Sequence, residues 1–143
     1  MPSRHIVAIG GSDAGISAAL RARELDPNTD FTVVVADAYP NFSICGIPYY
    51  VSGEVTHWTK LAHRTAEDLA AKGMTVLTDA RATRVHSDAH TLEILDVDGA
   101  ARHLEYDALI VGTGAISSRP PLRGLSGQGA LGPKDGVHLL HSM

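Results

Sequence analysis

The stretch "HIVAIGGSDAG" (residues 5–15) decides how this sequence folds. "HIVAI" is a short apolar run of the kind that forms a buried strand, and the glycines that follow it mark a tight turn. "ISAALRAREL" (16–25) then has an alanine-rich composition and apolar residues at helical spacing. A second continuous apolar run, "FTVVVAD" (Phe31–Asp37), comes next. Strand, helix and strand in this order predict a βαβ unit whose two strands are parallel.

Working outward from this unit, the remaining elements can be predicted in the same way. "TAEDLAAKG" (Thr65–Gly73) indicates a helix, because Thr65 and Asp68 are spaced as a capping box and Gly73 suits a helix C-terminus. "MTVLT" follows as a strand, and "ARATRVH", "TLEILDV" and "ARHLEY" are separated by turn residues, as in an antiparallel meander. "DALIVGTGA" (Asp107–Ala115) is again an apolar run that ends in a glycine-rich turn.

We therefore expect an α/β fold that is Rossmann-like, with a parallel sheet and a three-stranded antiparallel meander. The predicted domain covers residues 1–115. Residues 116–143 are predicted to be a connector, because the chain from Ile116 to Gly136 is rich in Gly, Pro and Ser.

Composition excludes several classes of function. The chain has 143 residues, a net charge of −4 and no basic patch, so we expect no nucleic-acid partner. No apolar run approaches the roughly 20 residues that span a bilayer, so we expect no membrane partner. One cysteine excludes an internal disulfide framework and favours a reducing, cytoplasmic location. The eight histidines show neither an HExxH motif nor a Cys/His pairing, so no metal site is predicted.

The glycine turn lies where a dinucleotide fingerprint requires it, between the first strand and the first helix. Gly10 permits the tight turn, Gly15 permits close packing of the helix, and the helix N-terminus offers amides to a pyrophosphate. Ser12 replaces the middle glycine of the fingerprint, so an ordinary tight βα turn remains the alternative. Asp37, at the end of the second strand, is the candidate for ribose hydroxyls, and its alternative is a simple turn aspartate.

Four stretches together resemble the FAD-dependent pyridine nucleotide–disulfide oxidoreductases. They are "IVAIGGSDAGISAALRAREL", "NFSICGIPYYVSGEV", "TAEDLAAKGMTVLTDARATRV" and "YDALIVGTGAISSRPPLRGL". The second stretch is similar to the SFxxCGxPY pattern of the single-cysteine branch, which contains coenzyme A disulfide reductase, NADH oxidase and NADH peroxidase. The matching residues are Phe42, Cys45, Gly46, Pro48 and Tyr49.

The resemblance implies a set of site residues. FAD would rest its pyrophosphate on the turn, direct its adenosine toward Asp37 and place its adenine near the backbone of Ala82. Cys45 would lie beside the flavin, with Asn41 and Phe42 next to the thiol substrate. The implied cofactor-binding residues are Gly10, Gly11, Ser12, Asp13, Ala14, Gly15, Asp37, Ala82, Thr113, Gly114 and Ala115, with Cys45 as the catalytic residue.

Cys45 has two interpretations, a buried core thiol or a reactive one. The residues after it, "GIPYYVSG", can begin a helix with Pro48 in its first turn, and thiols at helix N-termini carry more of the thiolate that attacks disulfides and peroxides. The resemblance favours the reactive interpretation. It implies that the family passes electrons from NAD(P)H through FAD to the cysteine and on to a disulfide, persulfide or coenzyme A-linked thiol.

The sequence departs from the family pattern at several positions, which keeps alternatives open. Asn41 stands where serine is usual and Ile44 where asparagine is frequent, while Asp13 replaces the histidine of the peroxidase and oxidase branch. When the sequence is aligned with the family pattern without gaps, Val35 occupies the position of the glutamate that contacts the ribose in the family. An NADH oxidase or peroxide reductase that uses a cysteine sulfenic acid is the alternative enzyme, and a non-catalytic FAD-binding module is the alternative outside catalysis.

The resemblance covers only the N-terminal FAD-binding portion of the family. Intact members are expected to continue into an NAD(P)H-binding domain and a dimerisation domain, and to form homodimers. No second glycine fingerprint is found in these 143 residues, so we expect the chain to be truncated relative to the family and weakly active or inactive by itself.

Overall fold

The computed structural model describes residues 3–115 and 118. The strands are β1 (His5–Ile9), β2 (Asp30–Val34), β3 (Asn41–Phe42), β4 (Ala62–Arg64), β5 (Met74–Leu77), β6 (Arg81–His86), β7 (Thr91–Leu95), β8 (Ala101–Glu105) and β9 (Ala108–Val111). Four of them are parallel and form the central sheet, in the order β5-β2-β1-β9. The helices are α1 (Asp13–Leu25), α2 (Ile47–Val51) and α3 (Ala66–Ala71).

The central sheet is buried on both faces because successive side chains of a strand point to opposite sides. Ala8 and Val33 face a core that α1 and α3 complete through Ile16 and Leu69. The preceding and following residues of the same strands, Val7 and Val34, face a second core that the meander covers with Leu92 and Ile94. This double burial explains why β1 and β2 are continuous apolar runs in the sequence.

The predicted fold class is confirmed. β1, α1 and β2 form the βαβ unit, with Val7 paired to Thr32 and Ile9 to Val34. β6, β7 and β8 form the predicted three-stranded antiparallel sheet, with a register shift between Ala82 and Arg84. The predicted connector of residues 116–143 lies outside the described residues, apart from residue 118.

Element boundaries follow local chemistry. Thr65 caps α3 by accepting from the Asp68 amide over 3.2 Å, and the Asp68 carboxylate accepts from the Thr65 amide over 2.9 Å, so the predicted capping box is present. Gly73 has a φ of +76°, as expected for a glycine just after a helix. β2 is shorter than predicted and ends at Val34 rather than Asp37.

A two-stranded antiparallel sheet of β3 and β4 was not predicted. These strands have two and three residues, which is too short to show a periodic pattern in sequence. Among the residues that the structure describes, no helix has both the length and the apolar character needed to cross a membrane.

Candidate functional site

Two glycines in the turn between β1 and α1 lie against the backbone of other segments of the chain. Gly10 has a φ of +97°, and a Cβ there would lie 2.1 Å from the Gly112 carbonyl oxygen. A Cβ on Gly11 would lie 1.6 Å from the Pro40 carbonyl oxygen. Because backbone atoms cannot rotate away as a side chain can, both positions require glycine. The chain before β3 and the end of β9 therefore both approach the turn closely.

The N-terminus of α1 suits an anionic group. Ser12 is the N-cap of this 13-residue helix, but its side chain makes no capping hydrogen bond. Its hydroxyl donates instead to the Gly112 carbonyl over 3.4 Å, so the side chain that replaces the fingerprint's middle glycine is engaged with the end of β9. The first-turn amides, which Ser12 leaves uncapped, and the partial positive charge of the helix fit a dinucleotide pyrophosphate.

Asn41 holds the glycine turn from the β3–β4 sheet. Its side chain is buried, and Nδ2 donates to the Gly11 carbonyl over 2.9 Å and to Asp13 Oδ1 over 3.2 Å. Its Oδ1 accepts from an Arg64 guanidinium nitrogen over 3.4 Å. The amide thus uses its hydrogen-bonding groups on the turn and on β4. The substrate contact expected of Asn41 stays a prediction, and the contact that the structure shows is a positioning one.

Arg64 is a site residue that the sequence analysis missed. Its guanidinium lies 3.9 Å from Asp13 Oδ1, and the Asp13 side chain is 73% exposed at the first turn of α1. The guanidinium offsets a negative charge that would otherwise repel a phosphate at this helix end. No motif marks Arg64, because only the pairing of Asn41 with Arg64 across β3 and β4 brings it to the turn.

The carboxyl end of β2 presents Asp37 but not Val35. Val35 is 5% exposed and belongs to the core on the helix side of the sheet. Asp37 is exposed, and its backbone carbonyl accepts from the Asp79 amide over 3.2 Å. β2 and the strand before the glycine turn are parallel, so Asp37 follows a carboxyl end on the same side of the sheet as the glycine turn. Ala82 lies in β6 and packs against the meander-side core, and its contact with adenine stays a prediction.

The predicted closing turn after β9 lies beside the glycine turn. The Gly112 amide donates to the Ile9 carbonyl over 2.8 Å, which joins the ends of β9 and β1. Thr113, Gly114 and Ala115 follow and are exposed. The structure therefore brings two separate glycine-rich segments to the carboxyl ends of the parallel strands, which is where ligands bind in open α/β sheets.

Cys45 lies in the middle of a 3-10 turn, Ile44–Gly46, and is exposed. This excludes a buried core thiol. The predicted helix is present as α2, with Pro48 in its first turn. Because α2 has only five residues, solvent access rather than a helix dipole is the structural argument for reactivity. Cys45 follows four residues after Asn41, on the segment that Asn41 fastens to the glycine turn.

Phe42 stands between the anchored Asn41 and the thiol segment. It is half-buried, and its ring centroid lies 6.5 Å from that of Trp58. The next residue, Ser43, donates its amide to the Leu61 carbonyl over 2.7 Å. These contacts hold the segment that leads to Cys45, and the role of Phe42 toward a substrate stays a prediction.

The sequence also matches a family model. The model is described as pyridine nucleotide-disulphide oxidoreductase, and residues 4–141 match it. The chain belongs to this family. The resemblance drawn from the glycine turn and the Cys45 segment is thereby confirmed.

Three members of the family illustrate the likeness. The chain is 36% identical to the solved NAD-dependent persulfide reductase from A. fulgidus, with a TM-score of 0.79 over 87% of this chain and 24% of that one. It is 32% identical to the NAD(P)H sulfur oxidoreductase (CoA-dependent) of Pyrococcus abyssi, over 88% of this chain and 28% of the relative. It is 27% identical to the NADH oxidase of Methanocaldococcus jannaschii, over 82% of this chain and 27% of the relative.

The matched region is most of this chain but only a small part of each of these family members. The chain spans little more than a quarter of the two curated relatives, 28% and 27%. What these longer proteins do as wholes therefore reaches this chain only as a proposal.

Proposed function

We propose that this chain is the FAD-binding portion of a flavin- and thiol-dependent oxidoreductase. In the complete system, electrons would pass from NAD(P)H through FAD to Cys45 and then to a disulfide or persulfide, including a disulfide or persulfide linked to coenzyme A, which would be released as thiol. One arrangement carries the proposal. A glycine turn that fits a pyrophosphate is fastened by Asn41 to the segment bearing an exposed cysteine.

The chain's own residues would hold the cofactor along the carboxyl edge of the sheet. The turn Gly10–Gly15 would receive the pyrophosphate, Asp37 the ribose hydroxyls, and the turn 113–115 would cover the other side. When bound, FAD would supply two-electron redox chemistry between a nicotinamide and a thiol. The assignment of residues 1–115 to this binding domain and of 116–143 to a connector is part of the same proposal.

Cys45 would act as the nucleophile toward sulfur. A thiolate attacks one sulfur of a disulfide, forms a mixed disulfide and releases the other sulfur as a thiolate. This chemistry requires access for a substrate, and the exposure of Cys45 in the 3-10 turn supports it.

Sulfur substrates are favoured over peroxide by two observations. The A. fulgidus protein is named a persulfide reductase and the P. abyssi protein a sulfur oxidoreductase. Where the peroxide-reducing branch is expected to carry an acid–base histidine, this chain has Asp13, whose carboxylate is engaged by Asn41 and lies near Arg64. We propose a small-molecule thiol or disulfide as the partner, in a homodimeric cytoplasmic enzyme.

The test is the visible spectrum of the full chain after reconstitution with FAD. We expect a bound-flavin spectrum and, while the flavin is oxidised and Cys45 is a free thiolate, a long-wavelength charge-transfer band that depends on Cys45. Reoxidation of the photoreduced protein by an added disulfide should also depend on this thiol. Cys45→Ser should keep the flavin but lose the band and the reoxidation, because the exposed side chain contributes little to folding.

A matched control moves the thiol. Cys45→Ser combined with Ser87→Cys leaves one exposed cysteine, on a turn of the meander. It should behave like Cys45→Ser. If this variant were reoxidised by the disulfide as fast as the unaltered chain, any exposed thiol would suffice and the role of Cys45 would be contradicted. If the unaltered chain bound no flavin, the proposed cofactor site would be contradicted.

A further inference from the structure

Three potential metal ligands meet on the outer face of the meander. His86 on β6, Glu93 on β7 and His103 on β8 each offer one ligand atom, and these atoms all lie within 4.8 Å of one another. His86 Nε2 is 2.7 Å from Glu93 Oε1, and His103 Nε2 is 3.7 Å from the same oxygen. The cluster is separate from the glycine turn, because the inner face of the meander, with Leu92 and Ile94, covers the central sheet.

The sheet itself brings the three side chains together. Glu93 and His103 are direct partners in the antiparallel register of β7 and β8. Arg84 is the partner of Glu93 on β6, and His86 lies two residues further on the same face. Neighbouring strands are rigidly spaced by their hydrogen bonds, so no loop has to rearrange to assemble the cluster.

The dimensions suit a tetrahedral metal ion. Zinc bound at about 2.0–2.1 Å by nitrogen and oxygen ligands holds these ligands about 3.3 Å apart. The Glu93–His103 separation of 3.7 Å must shorten slightly and the His86–Glu93 separation of 2.7 Å must lengthen slightly. Rotation of half-exposed side chains provides such shifts without movement of the backbone.

We propose that His86, Glu93 and His103 form a binding site for a divalent transition metal ion, with Zn²⁺ as the representative ion. Two imidazoles and one carboxylate are a ligand set that zinc accepts in proteins, and the fourth position would be filled by water. The ion would join β6, β7 and β8. No sequence motif predicts this site, because its ligands lie on three separate strands and not at the regular spacing of a helix or loop motif.

Arg84 opposes the ion. Its positive charge acts on Glu93 together with those of His86 and His103 when these are protonated. A metal at Glu93 would be repelled by Arg84, so Arg84→Gln should tighten metal binding. If the three side chains formed only an ion-pair cluster and bound no metal, Arg84→Gln would not change metal binding.

The experiment uses the full chain without a histidine tag, stripped of metals with a chelator. Zn²⁺ is titrated calorimetrically, and Co²⁺ is added separately to record its visible absorption, which is intense when the ion is four-coordinate. We expect one ion per chain. His86→Asn, Glu93→Gln and His103→Asn should each weaken binding by about tenfold or more, because each removes a direct ligand.

His63→Asn is the matched control, since His63 is an exposed histidine on β4 outside the cluster. It should bind like the unaltered chain. The proposal would be overturned if the unaltered chain did not bind Zn²⁺ stoichiometrically, or if the three ligand variants bound it as tightly as the unaltered chain. It would also be overturned if His63→Asn weakened binding as much as the ligand variants do. If His86→Asn fails to fold, His103→Asn decides the question, because the His103 side chain is 62% exposed.

Discussion

The side-chain amide of Asn41 donates to the Gly11 carbonyl over 2.9 Å, and this hydrogen bond joins the small β3–β4 sheet to the glycine turn of the central sheet. The turn is the proposed pyrophosphate site, and the residues after Asn41 lead to Cys45. One buried polar side chain therefore links the proposed cofactor site to the segment that carries the thiol.

Replacement of Asn41 should damage both stability and flavin binding. Asn41→Ala leaves the buried Gly11 carbonyl without this donor, which we expect to lower the free energy of unfolding by about 2 kcal/mol. Urea denaturation followed by circular dichroism measures this loss, and flavin retention measures the effect on the turn. Asn28→Ala, on an exposed turn after α1, is the control. Equal denaturation midpoints for the two variants would show that the buried hydrogen bonds contribute nothing.

A methyl group at Gly11 should disrupt the turn more than a methyl group at a strained but open glycine. In Gly11→Ala the new Cβ meets the Pro40 carbonyl, and the backbone must move, at a cost of about 3 kcal/mol. Gly53 has a φ of +86° and no described atom within 4 Å of an added Cβ, so Gly53→Ala should cost only about 1 kcal/mol. Urea denaturation compares the two variants. A Gly11→Ala protein as stable as Gly53→Ala would contradict the observed approach of Pro40.

Arg64 should assist flavin binding through charge. In Arg64→Gln the exposed Asp13 carboxylate loses its cation, and we expect the Kd for FAD to rise about threefold, which corresponds to the small energy of a solvated ion pair. The effect should shrink in high salt. Asp13→Asn should tighten binding. Fluorescence titration of FAD measures these changes. Arg21→Gln, which breaks an exposed ion pair with Glu24 on α1, should leave the Kd unchanged, and an equal effect in both arginine variants would argue against a local role.

Glu93 should make stability depend on pH in the acid range. A hydrogen bond from His86 lowers the pKa of Glu93 below its ordinary value of 4.5. Partial burial opposes this shift, whereas the charges of His86, Arg84 and His103 also lower the pKa. Since the folded pKa is depressed, the stabilisation is present above pH 4.5 and is lost as the pH falls through the folded pKa.

The measurement is urea denaturation of the unaltered chain and Glu93→Gln at pH 7 and in the acid range, with chelator present. The unaltered chain should be more stable at pH 7, and the difference should vanish in acid. Glu24→Gln, which removes an exposed carboxylate on α1, controls for a general loss of charge. A difference for Glu93→Gln that is the same at every pH would rule out the hydrogen bond as its source.

The local elements of this fold could be read from the sequence because their causes are local. The burial of both sheet faces makes β1 and β2 apolar runs, and the capping box of Thr65 and Asp68 is a contact between residues three apart. The glycine turn is equally local, since tight turns before helices require glycine wherever they occur. The predicted end of β2 was wrong, because Val35 and the residues up to Asp37 continue the run in sequence while the strand itself ends at Val34.

The features that complete the site depend on residues that are distant in the chain. Asn41 and Arg64 reach the glycine turn because two very short strands pair, and Pro40 packs on Gly11 for the same reason. His86, Glu93 and His103 form a cluster only through the register of three strands. Apolar periodicity and turn residues specify which elements form, since they act over a few residues. The meeting of particular polar side chains is decided by strand register and close packing, which are properties of the folded chain.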